Sequence, residues 1–281
     1  MIAKNILITG CSTGIGLCAA LTLHQRGYNV LATVRQSSDQ TIFTEQGIET
    51  TVLDLTDSQS ITTAFHYALT LFDGKIDALF NNGAYGQPGA VEDLSRAVLR
   101  EQFETNVFGT QELTNLVIAQ MRIQGHGRII YNSSVLGLIS MAYRGAYNAS
   151  KYALEGLADT LRQELADTEI KVSLIEPGPI ASQFRANAFA KYQQHINKAQ
   201  SAHSATYSAM EKRLTKKGPA APFTLPADAV VKKVIHALES KRPQIRYYVT
   251  FPTYLLATLK RLLPHRALDW FLIKVSNDEH K

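Results

Sequence analysis

Tyr147 and Lys151 lie four residues apart, so on a helix their side chains project from one face. A phenol beside an ammonium suits proton transfer to or from an oxygen. A tyrosine hydroxyl ordinarily titrates near pH 10, and acting near neutrality means bringing it down to about 7, a change worth ~4 kcal/mol. An ammonium ~4 Å away at an effective dielectric of ~20 supplies about that much. Ser134 stands thirteen residues before Tyr147, at the end of an apolar run, where its hydroxyl could stabilise charge on the same oxygen. Tyr131, Tyr143 and Tyr152 read instead as core or surface aromatics. The pair alone is weak. Twelve tyrosines and fifteen lysines in 281 residues give roughly 0.6 chance occurrences of Y-x-x-x-K, and there is one. Its meaning depends on what positions it.

The first positioning element is a short apolar strand at residues 4–9, followed by Gly10-Cys11-Ser12-Thr13-Gly14-Ile15-Gly16 and a helix to about residue 26. Strand, glycine turn and helix N-terminus together can hold a dinucleotide pyrophosphate on backbone N–H groups. A Cβ at these glycines would hold the phosphates away. The spacing G-x-x-x-G-x-G departs from G-x-G-x-x-G, and a plain turn is the rival reading; the flanking strand and helix favour the phosphate site. A second strand, residues 29–34, ends at Arg35 with no carboxylate before Asp39. An acidic residue there would suit a ribose 2′-hydroxyl, whereas an arginine suits a 2′-phosphate, so NADP(H) is expected over NAD. A solvated surface arginine is the alternative.

Further strands are expected at residues 50–54, 76–80, 128–132, 171–175 and 244–250. Helices are expected at 56–72, 96–124 with Asn106 in the middle, around Tyr147, and at 226–240. Continuous apolar strands alternating with helices imply an α/β fold whose parallel sheet, about seven-stranded, is covered on both faces. No composition break interrupts the first 180 residues, so one domain is expected over 1–281. Residues 182–222 scatter Phe184, Phe189, Tyr192 and Tyr207 among small and polar residues. They read as a helical substrate-covering insert or as a surface excursion. The tail, 251–281, is apolar with Lys260, Arg261, Arg266 and Lys274, and Pro264 interrupts any long helix. Packing on the domain is its simplest role. Covering the pocket, joining a partner subunit as in a homodimer, and peripheral contact with an anionic membrane are the others.

The net charge of +5 is modest, its basic residues gather in an aliphatic tail, and no nucleic-acid reader motif is present, so no nucleic-acid partner is expected. The chain opens directly on a strand, so no signal peptide is expected. No apolar run approaches the ~20 residues of a spanning helix. Cys11 and Cys18 match no metal or disulfide spacing, the histidines form no ligand motif, and no metal is expected. A cytoplasmic, reduced location follows, with membrane association left open by the tail.

Thr9–Gly16 (TGCSTGIG), Asn81–Ala84 (NNGA), Asn106, Ser134, Tyr147-x-x-x-Lys151 and Pro177–Ser182 (PGPIAS) resemble, in order and spacing, the short-chain dehydrogenase/reductase family. The similarity is close over the first 180 residues. Beyond them, EPGPI from Glu176, KRPQIRY from Lys241 and the apolar tail resemble the subgroup of 17β-hydroxysteroid and retinol dehydrogenases and bacterial aldehyde reductases. The resemblance implies a single-domain doubly wound Rossmann fold and reversible hydride transfer between NADP(H) and a carbonyl carbon. Tyr147 would be general acid/base, Ser134 would bind the carbonyl oxygen, Lys151 the nicotinamide ribose, and Asn106 a relay water. Cofactor contacts would come from Gly10, Ser12, Thr13, Gly14, Ile15, Gly16, Arg35, Asp54, Leu55, Asn81 and Gly83, then Pro177, Gly178, Ile180 and Ser182. Leu136, Met141 and Tyr143, with Ser134 and Tyr147, would bind substrate, and the insert would add Phe184, Phe189, Tyr207 and Met210. Two departures stand out. The family usually has N-N-A-G where this chain has Asn81-Asn82-Gly83-Ala84, and Ser182 stands where threonine is usual. An apolar aldehyde or ketone is the expected substrate, so an aldehyde/ketone reductase is the leading expectation. A hydroxysteroid or retinol dehydrogenase, a 3-oxoacyl thioester reductase and a catalytically idle NADP-binding sensor are the rivals.

Overall fold

A computed structural model describes residues 4–278; the outermost residues of the expected domain and tail, 1–3 and 279–281, lie outside the described residues. In chain order the first half runs β1 (Asn5–Ile8), α1 (Gly14–Gln25), β2 (Asn29–Val34), α2 (Thr41–Thr44), β3 (Glu49–Val52), α3 (Ser58–Leu71), β4 (Ala78–Asn81), α4 (Arg96–Phe103) and α5 (Thr110–Gln124). The second half runs β5 (Gly127–Asn132), α6 (Gly145–Glu164), β6 (Ile170–Glu176), α7 (Phe184–His195), α8 (Ser204–Thr215), α9 (Asp228–Glu239), β7 (Arg246–Tyr248), α10 (Phe251–Leu262) and α11 (His265–Asp278).

The seven strands form one parallel sheet in the order β3-β2-β1-β4-β5-β6-β7. Successive strand residues point to opposite faces, and both faces are buried. Leu7 joins Leu31, Leu79 and Ile129 under α3, α5 and α6, while Ile6 and Ile8 join Val30, Phe80 and Ile130 under α1 and α9. That is why the strands read as unbroken apolar runs. The chain winds one way from β1 to β3 and the other way from β4 to β7. The sheet therefore splits its connections at the carboxyl ends of β1 and β4, where a doubly wound fold opens its binding crevice.

Strand ends shift by one or two residues from expectation. The strand expected at 50–54 is Glu49–Val52, because Asp54 turns into a loop where its carboxylate accepts from the backbone N–H and hydroxyl of Thr56. The strand expected at 76–80 is Ala78–Asn81, and that expected at 244–250 is only Arg246–Tyr248. The long helix expected over 96–124 is α4 and α5 joined by a π-helical stretch, Glu104–Gly109, centred on Asn106. Wider turns of this kind cost backbone geometry and mark functional sites.

The insert is docked rather than a loose excursion. Tyr192, Ile196, Tyr207, Met210 and Leu214 pack on Ala90, Leu94, Val98 and Ala146, and the buried Tyr207 hydroxyl accepts from the Ala90 amide at 2.9 Å. The tail folds as α10 and α11, divided at Pro264 as expected. Their inner residues Leu256, Leu259, Leu268 and Leu272 pack on Val135, Leu136, Ile139 and Met141. Among the described residues no helix is long and apolar enough to cross a membrane.

Candidate active site

A cleft of about 1660 Å³ runs along the carboxyl edge of the sheet, from the glycine turn to the helices of the insert. Its floor is built by strand ends, so its polar groups are backbone-anchored. At one end Gly10 adopts φ +68°, the left-handed region, and a Cβ on it would fall 2.7 Å from the Gly83 Cα. A β-carbon at Gly16 would fall 2.2 Å from the Gly10 carbonyl oxygen, so only glycine lets α1 start this close to β1. The Thr13 side chain makes no capping bond to α1. The first-turn amides, which have no intrahelical partner, are available to an anion. These residues fit a dinucleotide pyrophosphate.

A second layer holds the turn. Asn82 donates from its amide to the Thr9 and Gly10 carbonyl oxygens, each at 3.0 Å, and accepts from Asn132 at 2.9 Å. The Thr9 hydroxyl accepts from the backbone amides of Asn82 and Gly83 at 2.9 and 2.8 Å. The turn, the β4 loop and the end of β5 are thus one hydrogen-bonded unit. Asn82→Ala should lower the unfolding free energy by about 1–3 kcal/mol and weaken dinucleotide binding roughly 10-fold, since two carbonyls lose their donor. Calorimetry and a cofactor titration read both, and unchanged affinity would detach Asn82 from the site.

On the other strand, the Cys11 amide donates to the Thr33 carbonyl at 2.8 Å, which brings the end of β2 against the turn. Arg35 is exposed there and lines the cleft with Ser12, Thr13 and Asp54.

The chemical groups converge at the middle of the cleft. Ser134 follows β5, and Tyr147 and Lys151 lie on α6, where the Tyr147 and Ser134 hydroxyls hydrogen-bond each other. The Lys151 ammonium donates to the Asn132 carbonyl at 2.6 Å and lies 5.6 Å from the centre of the Tyr147 ring. Burial pushes the Tyr147 phenol above its ordinary 10, and the Ser134 hydrogen bond pulls the other way. The balance thus runs opposite to the downward shift expected from Lys151 alone: desolvation is the larger influence, and the opposing pull comes from Ser134. Burial brings Lys151 down to about 8, and Glu155 opposes it. Tyr147 therefore holds its proton at neutral pH beside a cation that can stabilise the phenolate left after donation.

Of the expected cofactor and substrate residues, Gly10, Ser12, Thr13, Gly14, Ile15, Arg35, Asp54, Leu55 and Gly83 line the cleft. So do Ser134, Leu136, Met141, Tyr143, Tyr147, Lys151, Pro177, Gly178, Ile180 and Ser182. Five expected residues do not: Phe189 and Tyr207 pack instead in the core beneath the insert, and Gly16, Asn81 and Asn106 also lie off the cleft. Gly16 lies under the turn and acts through close packing. Asn81 is buried and its amide donates to the Thr114 hydroxyl at 2.9 Å, away from the cleft. Strand residues alternate, so the side chain of Asn81 faces α5 with Leu79 while that of Asn82 faces the glycine turn. Asn106 is also buried; it accepts from the Tyr85 amide at 3.1 Å and donates to the Tyr85 carbonyl at 2.9 Å and to the Ser150 hydroxyl at 3.1 Å. It clamps the β4 loop to α6 behind the tyrosine. Thr9 and Asn132 were not singled out; their signal was only their place at the ends of β1 and β5.

Beyond Tyr147 the cleft turns apolar. Phe184 packs edge-on against the Tyr147 ring at 5.3 Å, and Leu136, Met141, Ala188, Met210 and Leu214 continue the wall. Tyr143 has φ +61°, and its carbonyl accepts from the Gly89 amide at 3.0 Å, which pins the loop before α6.

A family model described as short chain dehydrogenase matches residues 4–193. The chain is 43% identical over 269 residues to the uncharacterized oxidoreductase YbbO of Escherichia coli (strain K12), covering 96% of this chain and 94% of that one. It is 34% identical over 198 residues to human retinol dehydrogenase 8, covering 67% and 62%. A short chain dehydrogenase/reductase of Burkholderia phymatum, solved in complex with NAD, superposes with a TM-score of 0.77 at 23% identity, covering 95% of each chain.

Proposed function

The chain belongs to the short-chain dehydrogenase family of nicotinamide-dependent oxidoreductases, and we propose that it is an NADP(H)-dependent reductase of apolar aldehydes or ketones. One observation carries the reading: the hydrogen-bonded Ser134–Tyr147 pair lies between a pyrophosphate turn edged by Arg35 and an apolar pocket.

NADPH bound along the turn would supply the hydride. Ser134 and Tyr147 would hold the carbonyl oxygen between two hydroxyls, which orients the carbon and stabilises charge on the oxygen. Tyr147 then gives its proton to that oxygen, and the Lys151 ammonium stabilises the phenolate. The hydrophobic wall of Phe184, Leu136 and Met141 excludes water and favours an apolar group on the carbonyl. The similarity to a retinol dehydrogenase agrees with such a substrate. The test is NADPH and NADH oxidation against a panel of medium-chain and aromatic aldehydes, retinal, steroid ketones and acyl thioesters. No turnover of any carbonyl with either cofactor would sink the enzyme reading, and preference for acyl thioesters would replace the substrate class.

The Lys151 value sets a pH dependence. Its cation is present below about 8 and lost as pH rises through it. The kcat/KM for reduction should stay level below that pH and fall about tenfold per pH unit above it. A profile level to pH 10 would separate Lys151 from proton transfer.

A further inference from the structure

Glu176, which opens EPGPI, and Arg246, within KRPQIRY, play no part in the chemistry above, yet both belong to one ion cluster. Parallel pairing of β6 with β7 brings Glu176 and Arg246 to the same end of the sheet. The Arg246 guanidinium donates to Glu176 at 2.6 Å and also to Glu155 and Asp159 on α6. Glu176 is fully buried and Glu155 nearly so. One guanidinium does not balance three carboxylates. The second cation is Lys151, itself buried and one helical turn before Glu155 on the same face.

Resting on the reductase reading, we propose that Glu155, fixed by Arg246, is a positioning residue that keeps Lys151 charged and aimed at the catalytic tyrosine. Lys151 is out of water, and it donates to a neutral carbonyl, that of Asn132. A buried ammonium without a counter-charge gives up its proton. Glu155 supplies that charge, and its carboxylate is itself held by Arg246. The groups that face Lys151 are Tyr147 and Glu155 from α6 and the Asn132 carbonyl from β5. Glu155 in turn faces Arg246 and Tyr248 of β7 and Glu176 of β6, with Asp159 of α6 also on Arg246 and Arg261 of α10 facing Tyr248. Burial pushes Glu176 up to about 8, so it keeps its proton near neutrality and leaves two cations facing two carboxylates.

The test is the pH profile of kcat/KM in Glu155→Gln and Arg246→Gln. Removing the carboxylate should move the alkaline limb about one pH unit toward acid, costing about 5–10-fold at pH 8 and under twofold at pH 6. Removing the guanidinium should move it the opposite way. Asp159→Asn, half-exposed and easier to tolerate, should shift it acidward by a few tenths, and Glu155→Asp should restore the limb. A uniform rate loss at every pH with the limb unmoved would make the cluster merely structural. Wild-type turnover in the same assay separates that outcome from failure of the reductase reading.

A different observation concerns the outer face of the tail. On α10, Phe251, Tyr254, Leu255 and Leu262 recur on one face and are exposed; Leu262 is 73% exposed. On α11, Trp270 and Ile273 are exposed in the same way, at 66% and 59%. Arg261, Arg266 and Lys274 stand among them, with the Lys274 ammonium 5.5 Å from the centre of the Trp270 ring. We infer that this face rests in the headgroup layer of an anionic bilayer. Large aromatics and leucines rimmed by cations match that layer, and the inner faces of the same helices brace Leu136 and Met141 of the cleft. Trp270 is the only tryptophan in the chain and so reports directly. Its emission should shift to the blue, and the protein should sediment, with phosphatidylglycerol-containing vesicles but much less with phosphatidylcholine alone. Leu262→Glu should weaken both about 10-fold and leave turnover of a soluble aldehyde intact. No shift with anionic vesicles would overturn the inference. So would a shift that follows protein concentration without lipid, which would assign the face to a second copy.

Discussion

Tyr147→Phe is expected to reduce carbonyl turnover by about 10²–10⁴-fold, the usual worth of a positioned general acid, with NADPH affinity changed less than about threefold. The ring is retained, so the edge-on contact with Phe184 at 5.3 Å and the packing of α6 persist. What is lost is the proton donor and the partner of the Ser134 hydroxyl. The same residue identity without the hydroxyl keeps the cleft's shape, so the variant isolates chemistry from binding. Single-turnover kinetics with NADPH, together with a direct binding titration, read the two quantities separately. Retained turnover would place the acid elsewhere. Lost NADPH binding would mean that Tyr147 serves the cofactor more than the proton.

Arg35→Asp is expected to change the NADPH-to-NADH preference roughly 10–100-fold toward NADH. A guanidinium on a phosphate contributes about 1.5–3 kcal/mol, and a carboxylate in its place repels a 2′-phosphate while accepting from a ribose hydroxyl. Arg35 immediately follows β2, whose Thr33 carbonyl is tied to the glycine turn, so its backbone is placed for the adenosine end of the cleft. It is exposed, and the substitution leaves the core untouched. The ratio of kcat/KM values for the two cofactors decides the matter. An unchanged ratio would make Arg35 a solvated surface residue and return cofactor choice to the rest of the turn.

Much of the fold is legible because a parallel sheet buried on both faces writes itself as apolar runs. Ile6, Leu7 and Ile8 all need to be hydrophobic, and each of the seven strands was found at or near its place. Strand ends were less legible, since a local hydrogen bond such as Asp54 to Thr56 ends pairing while the apolar pattern continues. The helix over 96–124 shows the same limit. Its periodicity is helical throughout, but the π-helical stretch carries Asn106, whose side chain reaches Tyr85 and Ser150, which are distant in the chain.

The candidate trio could be proposed from the sequence because Tyr147 and Lys151 share one helix face, Ser134 ends the adjoining strand, and the upstream motifs resemble one family in order and spacing. Which neighbouring asparagine serves the turn was a question of strand parity, and only the register of β4 assigned it to Asn82 rather than Asn81. The protonation balance was beyond sequence as well. A pairwise estimate of one charge on one phenol leaves out desolvation, the largest influence on Tyr147 and a property of everything packed around it. Likewise Arg246 and Glu155 lie 91 residues apart and meet only because β7 joins the sheet beside β6. Local sequence by itself determined which residues could do chemistry and which elements would carry them, because periodicity and turn chemistry are short-range. Only the tertiary structure decided how those groups are charged and braced, because burial and ion pairing depend on residues the chain brings together last.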